Sequence, residues 1–288
     1  MPEFIKFSEF FRTHSDDFDA ILFDVDGTLA SGSVPLPGTG EFLSYLESIK
    51  FPYFLLTNDS CNSRAQKARY LAKGGIPVTE ERVLSAGNAF EWWVKQGNYD
   101  GSLFFQYGKL GNPSYVEAAG IKVTTDPERI YECGGVLCGE GVYDWQPAIE
   151  AAFNLLYKHP EYPLIVANPD SYWPSLRVNG WGIGAGAVAR FICQVLADAG
   201  KEVKPFYLGK PYPPIYQCVF PFLKSLFSEK EFNDPARILM IGDSLKSDIL
   251  GANTNGMSSA LVLSGVTTME HVEKAPQNEQ PEFIFSGI

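Results

Sequence analysis

The chain is poor in several things, and each shortage excludes a class of function. Of its 288 residues only three are histidines, His14, His159 and His271, and each stands alone. A histidine-based metal site or a Ser-His-Asp triad is hard to assemble from such a set. The five cysteines, Cys61, Cys133, Cys138, Cys193 and Cys218, are odd in number, and no two have CxxC spacing. Buried free thiols in a reducing compartment are therefore expected rather than a zinc or redox site. Positive charge is short too: 23 Lys and Arg stand against 34 Asp and Glu, a net charge of −11. A protein that binds duplex DNA needs a basic face to displace counterions, so no nucleic-acid partner is expected. No run of about 18 apolar residues is present, so no membrane partner is expected. The first seventeen residues carry charges throughout and hold no apolar stretch of signal-peptide length. A cytoplasmic protein is the resulting expectation.

What is there is ordinary globular material. Hydrophobic residues make up 45% and charged residues 20%, and a chain of this length buries a core without disulfides or zinc. The clearest local signal is Ala20-Ile21-Leu22-Phe23, an apolar run that stops at Asp24-Val25-Asp26-Gly27-Thr28. Short apolar runs bounded by turn residues suit buried parallel strands. Thr39 to Lys50 (TGEFLSYLESIK) has helical spacing, and Tyr53-Phe54-Leu55-Leu56 is a second strand ending in Thr57-Asn58-Asp59-Ser60. Arg64 to Gly74 predicts a helix. The same grammar returns in Arg237 to Ile241, followed by Gly242-Asp243-Ser244, with a helix expected over Ser247 to Asn253 and a strand over Ala260 to Leu263. Phe206 to Pro211 is a further strand end, and Pro213 to Phe227 the helix after it. This alternation predicts an α/β fold with a doubly wound, Rossmann-like parallel sheet.

Residues 84–204 form a stretch of their own. Strands are expected at Leu103 to Tyr107, Gly135 to Cys138 and Leu164 to Ala167, and helices at Ala86 to Gln96, Gln146 to Tyr157 and Ala185 to Ala199. The stretch is long enough to be an α/β domain, inserted into a core made of residues 1–83 and 205–288. Asn168 to Gly186, rich in Pro and Gly, is expected as an ordered loop, with Trp173 and Trp181 either walling a pocket or, the favoured reading, packed into the core of the insert.

Four polar clusters follow candidate strands: Asp24 with Asp26, Thr57 with Asn58, Lys210, and Asp243 with Asp248. In a parallel sheet such ends open on one edge, so residues distant in sequence can converge. Carboxylates gathered in one cleft repel one another, and a hard divalent cation relieves this. Oxygen ligands with room for water suit Mg²⁺. A lysine, a hydroxyl and an amide beside it make a receptor for a tetrahedral anion such as phosphate, whatever the net charge. A carboxylate can also attack phosphorus, and one two residues on can act as general acid and then base.

These residues resemble a known family. Asp24-Val25-Asp26-Gly27-Thr28-Leu29 matches the DxDGT signature of the haloacid dehalogenase superfamily. Thr57-Asn58, Lys210 and Gly242-Asp243-Ser244-Leu245-Lys246-Ser247-Asp248 resemble its second, third and fourth motifs. Gly75-Ile76-Pro77-Val78, Asn168-Pro169-Asp170, Gly184-Ala185-Gly186 and Gly209-Lys210-Pro211 look like its NagD-like branch. That branch includes phosphatases acting on nucleoside monophosphates, 4-nitrophenyl phosphate, phosphoglycolate and pyridoxal phosphate. The resemblance implies a haloacid-dehalogenase-like core with an inserted α/β cap and a Mg²⁺-dependent phosphatase acting on a small phosphorylated metabolite through an aspartyl-phosphate. Asp24 would be the nucleophile and a metal ligand, and Asp26 the acid/base, with its main-chain carbonyl on the metal. Thr57, Asn58 and Lys210 would hold the phosphate, and Gly27 would allow close approach of the anion. Asp243 would complete the metal ligands, and Asp248 would orient them. Caps of this kind also imply a possible homodimer.

Alternatives remain open at this level. A phosphotransferase or phosphomutase differs only in what accepts the phosphoryl group, and a regulatory module would bind a phosphate ligand without turnover. Asp170 is either a specificity residue or a turn former, and Arg177 either an anchor for a second anionic group or a surface ion pair. Members of the branch usually carry Asn where this chain has Asp59, which puts an additional negative charge beside the second motif.

Overall fold

Ala20–Phe23 (β1) is buried at all four positions, as are Tyr53–Thr57 (β4) and Ile238–Gly242 (β13). Strands apolar on both faces need cover on both sides, which only a sheet inside an α/β layer structure supplies. The computed structural model of the chain describes residues 4–32, 34–76, 78–175 and 180–288. It contains two compact units: Met1–Thr57, Arg64–Leu84 and Val219–Ile288 form one, and Asn58–Ser63 and Ser85–Cys218 the other.

The first unit is built on a six-stranded sheet. After β1 come a small antiparallel ladder, Ala30–Ser31 (β2) with Val34–Pro35 (β3), then β4 and Val83–Ser85 (β5); β13 is followed by Ser258–Val262 (β14) and Phe283–Phe285 (β15). The order is β15-β14-β13-β1-β4-β5, and the pairs from β15 through β4 are parallel. From β1 the chain winds outward to β4 and β5; from β13 it winds the other way to β14 and β15. The winding reverses between β1 and β13, and a crevice opens at the carboxyl ends of strands at such a point. Asp24 follows β1 and Asp243 follows β13. The helix Phe7–His14, not foreseen from sequence, lays Phe7 and Phe11 against Phe42 and Phe285 in edge-on ring contacts and buries both completely.

The second unit has its own five-stranded sheet. Its strands are Leu103–Tyr107 (β6), Lys122–Thr124 (β7), Cys133–Cys138 (β8), Leu164–Val166 (β9) and Phe206–Tyr207 (β12), ordered β12-β9-β8-β6-β7 with parallel pairing. The helices Trp145–Lys158 and Ala185–Asp198 cover it, joining Leu155, Leu156, Val188 and Ile192 to Phe105, Val136 and Val166 in one core.

Several elements differ from the sequence reading. Asn168 to Gly186 contains an antiparallel hairpin, Tyr172–Ser175 (β10) with Gly180–Ile183 (β11), rather than only a loop. Trp173 and Trp181 lie on it 37% and 59% exposed, so neither fills the core. Aromatic residues favour a pleated surface whether or not that surface is covered. The helix expected over Pro213 to Phe227 is two, Pro213–Gln217 and Val219–Leu226. The one expected over Ala86 to Gln96 is three short turns, Ala86–Asn88, Ala89–Trp93 and Val94–Asn98, the last broken by Gly97 with φ of 78°. Among the described residues no helix is long and apolar enough to cross a membrane.

Candidate active site

Asp24, Asp243 and Asp248 converge in the first unit, each with a carboxylate oxygen within 4.8 Å of the others. Asp243 is 4% exposed and Asp248 1%. Each is fixed by its own strand exit. Asp24 leaves β1 with its N–H donated to Ile241 O at 2.8 Å. Asp248 lies in the wide helical turn Leu245–Ile249 and accepts the Ser244 N–H at 3.1 Å, so its carboxylate folds back onto the loop leaving β13. Asp243 accepts the Val266 N–H at 2.7 Å.

Glycines make this packing possible. A Cβ at Gly27 or at Gly265 would overlap the Asp243 carboxylate, and one at Gly242 would overlap Asp248. Gly27 also has φ of +91°, a left-handed conformation that side chains resist. Its carbonyl takes the Ser264 hydroxyl at 2.8 Å. Three carboxylates held this closely, two of them out of water, repel one another unless a cation lies among them. The donors are all hard oxygens, a set that fits Mg²⁺, and the main-chain N–H groups on Asp243 and Asp248 aim the carboxylates as outer partners of a metal site do.

Asp26 stands outside this group. Its carboxylate is about half exposed and pairs with Lys67, on the helix Arg64–Gly74, at 3.2 Å. Sequence reasoning passed over Lys67, whose side chain is only 11% exposed, because a lysine in a polar helix carries no local mark of burial. Thr57 ends β4 and is buried.

Asn58 and Lys210 meet in the second unit, together with Asp170. Lys210 follows β12, which pairs with β9, so its strand belongs to the five-stranded sheet. Its main-chain N–H donates to Asn58 Oδ1 at 2.7 Å, and Asn58 Nδ2 donates to the Lys210 carbonyl at 3.0 Å and to Asp170 Oδ1 at 3.2 Å. A side chain at Gly209 would run into Asn58 Oδ1. Asp59 serves its own loop. Its carboxylate accepts the N–H groups of Cys61 and Asn62 at 3.0 and 3.1 Å, closing the turn after the second motif. Arg177 lies outside the described residues.

Glu140 was missed by sequence reasoning. It is 8% exposed, follows β8 between Gly139 and Gly141, and accepts Asn168 Nδ2 at 2.6 Å and the Ala185 N–H at 3.2 Å. Burial, reinforced by the charges of Asp59 and Asp170, pushes its carboxyl up to about 8. The signal was available as a polar residue bracketed by glycines at a strand end, the grammar of the other motifs.

Comparison with known proteins follows the same lines. A family profile described as haloacid dehalogenase-like hydrolase matches residues 21–122, and a second, HAD-hydrolase-like, matches residues 207–288. A glycerol-3-phosphate phosphatase of Gallus gallus is 28% identical over 91% of this chain and 85% of its own length. A 4-nitrophenylphosphatase of Schizosaccharomyces pombe is 26% identical over 96% of this chain and 94% of its own. Among solved structures, NagD from Escherichia coli K-12 superposes with a TM-score of 0.77 at 23% identity, covering 94% of this chain and 96% of that one. The glycerol phosphate phosphatase Rv1692 from Mycobacterium tuberculosis, solved in complex with magnesium, superposes with a TM-score of 0.76 at 23% identity over 93% and 74%.

Proposed function

Since the chain belongs to the haloacid dehalogenase-like hydrolases, in their NagD-like branch, we propose that its site residues carry out the hydrolysis of a small phosphate monoester. The enzyme is a phosphatase, as its relatives are. The observation that carries the reading of the site is the convergence of Asp24, Asp243 and Asp248 at the winding reversal of the parallel sheet.

Mg²⁺ held by Asp24, Asp243 and the Asp26 carbonyl, with Asp248 orienting them, would supply charge neutralisation for the phosphoryl oxygens. The Asp24 carboxylate attacks phosphorus, and the bond to the ester oxygen breaks. Asp26 gives its proton to the leaving oxygen. Asp26 then takes a proton from water, whose oxygen attacks the same phosphorus, releasing inorganic phosphate and the Asp24 carboxylate. The exposed position of Asp26 suits a group that must exchange protons with a departing alcohol and an arriving water.

Thr57 supplies a hydroxyl to the phosphate, Lys210 an ammonium, and Asn58 its main chain, since its side-chain amide is committed to Lys210 and Asp170. The unit containing Ser85–Cys218 is assigned the selecting role of a cap. A net charge of −11 argues against a nucleic acid as the ligand.

Asp24→Asn tests the reading. It removes the nucleophile at almost constant volume, and turnover of 4-nitrophenyl phosphate with Mg²⁺ should fall by about three orders of magnitude or more with the circular dichroism unchanged. A variant that turns over at the wild-type rate ends the assignment.

A further inference from the structure

Lys210 is 1% exposed, and its main chain is the last link of a continuous network that is buried at Glu140, Asn168, Asn58 and Lys210 and half-buried at Asp170. The network starts at Glu140, just past the end of β8. Its Oε1 accepts Asn168 Nδ2 at 2.6 Å and the N–H of Ala185, the first residue of the helix Ala185–Asp198, at 3.2 Å. Asn168 Oδ1 accepts the Asp170 N–H at 2.9 Å, and Asp170 Oδ1 accepts Asn58 Nδ2. Asn58 then holds both the N–H and the carbonyl of Lys210. All these residues belong to the second unit.

The path has little slack. A Cβ at Gly186 would overlap the Pro169 carbonyl, and one at Gly209 would meet both Asn58 Oδ1 and the Ala167 carbonyl. Arg190 closes the turn from outside, donating to Pro169 O at 3.2 Å and to Ser171 Oγ at 2.6 Å. A buried carboxyl group left without partners is strongly disfavoured, so its partners cannot drift freely. Glu140 is therefore the anchor, because one oxygen ties the turn carrying Asp170 to a helix N-terminus.

We propose that Glu140 is a positioning residue for Lys210, acting through Asn168, Asp170 and Asn58 to fix the main chain from which the Lys210 ammonium extends. The inference rests on the reading of Lys210 as a phosphate ligand. It adds a residue that touches neither substrate nor metal to those on which phosphate binding depends. Uncharged Glu140 keeps its acceptor oxygen, and an amide of the same shape keeps it too.

The test measures inhibition by inorganic phosphate, alongside kcat and KM for 4-nitrophenyl phosphate with Mg²⁺, in Glu140→Ala, Glu140→Gln, Asn168→Asp and Lys210→Met. Glu140→Ala should raise the phosphate inhibition constant about tenfold or more, as a displaced binding group does. Glu140→Gln should return it to within about threefold of wild type, since the acceptor is restored. Asn168→Asp keeps the acceptor for Asp170 and loses the donor to Glu140, so it should match Glu140→Ala without a large cavity. The double variant Glu140→Ala/Lys210→Met should bind phosphate no worse than Lys210→Met alone, which loss of general stability would not produce. If Lys210→Met leaves phosphate inhibition unchanged, the reading of Lys210 fails and the inference falls with it. If Lys210→Met weakens inhibition but Glu140→Ala and Asn168→Asp do not, the positioning role alone is overturned. A Gln variant as impaired as the Ala variant overturns it as well.

Discussion

Asn58 and Lys210, 152 positions apart in sequence, are joined by two hydrogen bonds, with the Lys210 N–H on Asn58 Oδ1 at 2.7 Å and Asn58 Nδ2 on the Lys210 carbonyl at 3.0 Å. One side-chain amide thereby stands in for a neighbouring strand. Asn58 is buried, so removing it strands a buried N–H and a carbonyl. Asn58→Ala should lower stability by about 2–4 kcal/mol, read as a shift of the urea midpoint. It should also raise KM for 4-nitrophenyl phosphate more than Thr57→Ser does, because Thr57→Ser keeps its hydroxyl. Equal KM values for the two variants would show that the pairing does not serve the site.

The carboxylates of Asp24, Asp243 and Asp248 make a metal requirement measurable without turnover. A cation that binds only the folded state stabilises it by about 2.7 kcal/mol at 100 times its dissociation constant. Mg²⁺ should therefore raise the calorimetric midpoint relative to Na⁺ at equal ionic strength, and EDTA should abolish both the increment and the activity. Asp243→Asn should lose most of the increment. Full activity in metal-free buffer would argue against the site.

Gly265 has no mechanistic group, yet its missing side chain makes room for Asp243. Gly265→Ala should push that carboxylate aside and raise the Mg²⁺ concentration for half-activation about tenfold, the size expected for a disturbed metal ligand. Gly287→Ala, whose Cβ would meet only Ser264 at 3.9 Å, is the matched control and should behave as wild type. Unchanged Mg²⁺ dependence in Gly265→Ala would mean the loop yields without moving Asp243.

Glu140 imposes a pH dependence on stability. In the folded chain it keeps its proton up to about 8, against an ordinary value of 4.5. Between those values the native state holds a proton that the unfolded state has released. Its contribution to stability thus falls as pH rises through that window, by at most about 1.4 kcal/mol per pH unit, and is constant above it. Asp59 and Asp170 face the group and add to the effect. Glu140→Gln, which carries no titrating proton, should flatten the decline in urea midpoint between about pH 5.5 and pH 8.5. Parallel profiles for the two proteins would place the decline elsewhere.

Much of the core was legible in the chain because its signals are local. Strands β1, β4 and β13 are apolar runs with abrupt polar ends, and that pattern reports burial on both faces directly. The carboxylates followed from the same ends, since a parallel sheet puts the exits of β1 and β13 side by side. Other features are pairwise and left no local trace. Lys210 read as one more strand end of the core, although its short strand pairs with β9, because two residues of β12 do not specify a partner. Trp173 and Trp181 read as core residues because apolar size marks residues able to be buried, not those that are. The ion pair of Lys67 with Asp26 and the buried Glu140 depended on neighbours that only folding supplies.

By itself, the sequence determined the chemistry on offer: an acidic chain without histidine clusters or paired cysteines, whose carboxylates, hydroxyl, amide and lysine stand at the ends of apolar runs. Their residue types and spacing are covalent facts and need no partner to be read. Tertiary structure alone decided which of them share a place. It brought Asp24 within reach of Asp243 and Asp248, and it committed the Asn58 amide to holding Lys210 rather than a ligand. It also buried Glu140 deeply enough to keep its proton. Each outcome depends on distance and on exclusion of water, and both arise only when the strands pair and the glycines between them let the loops close.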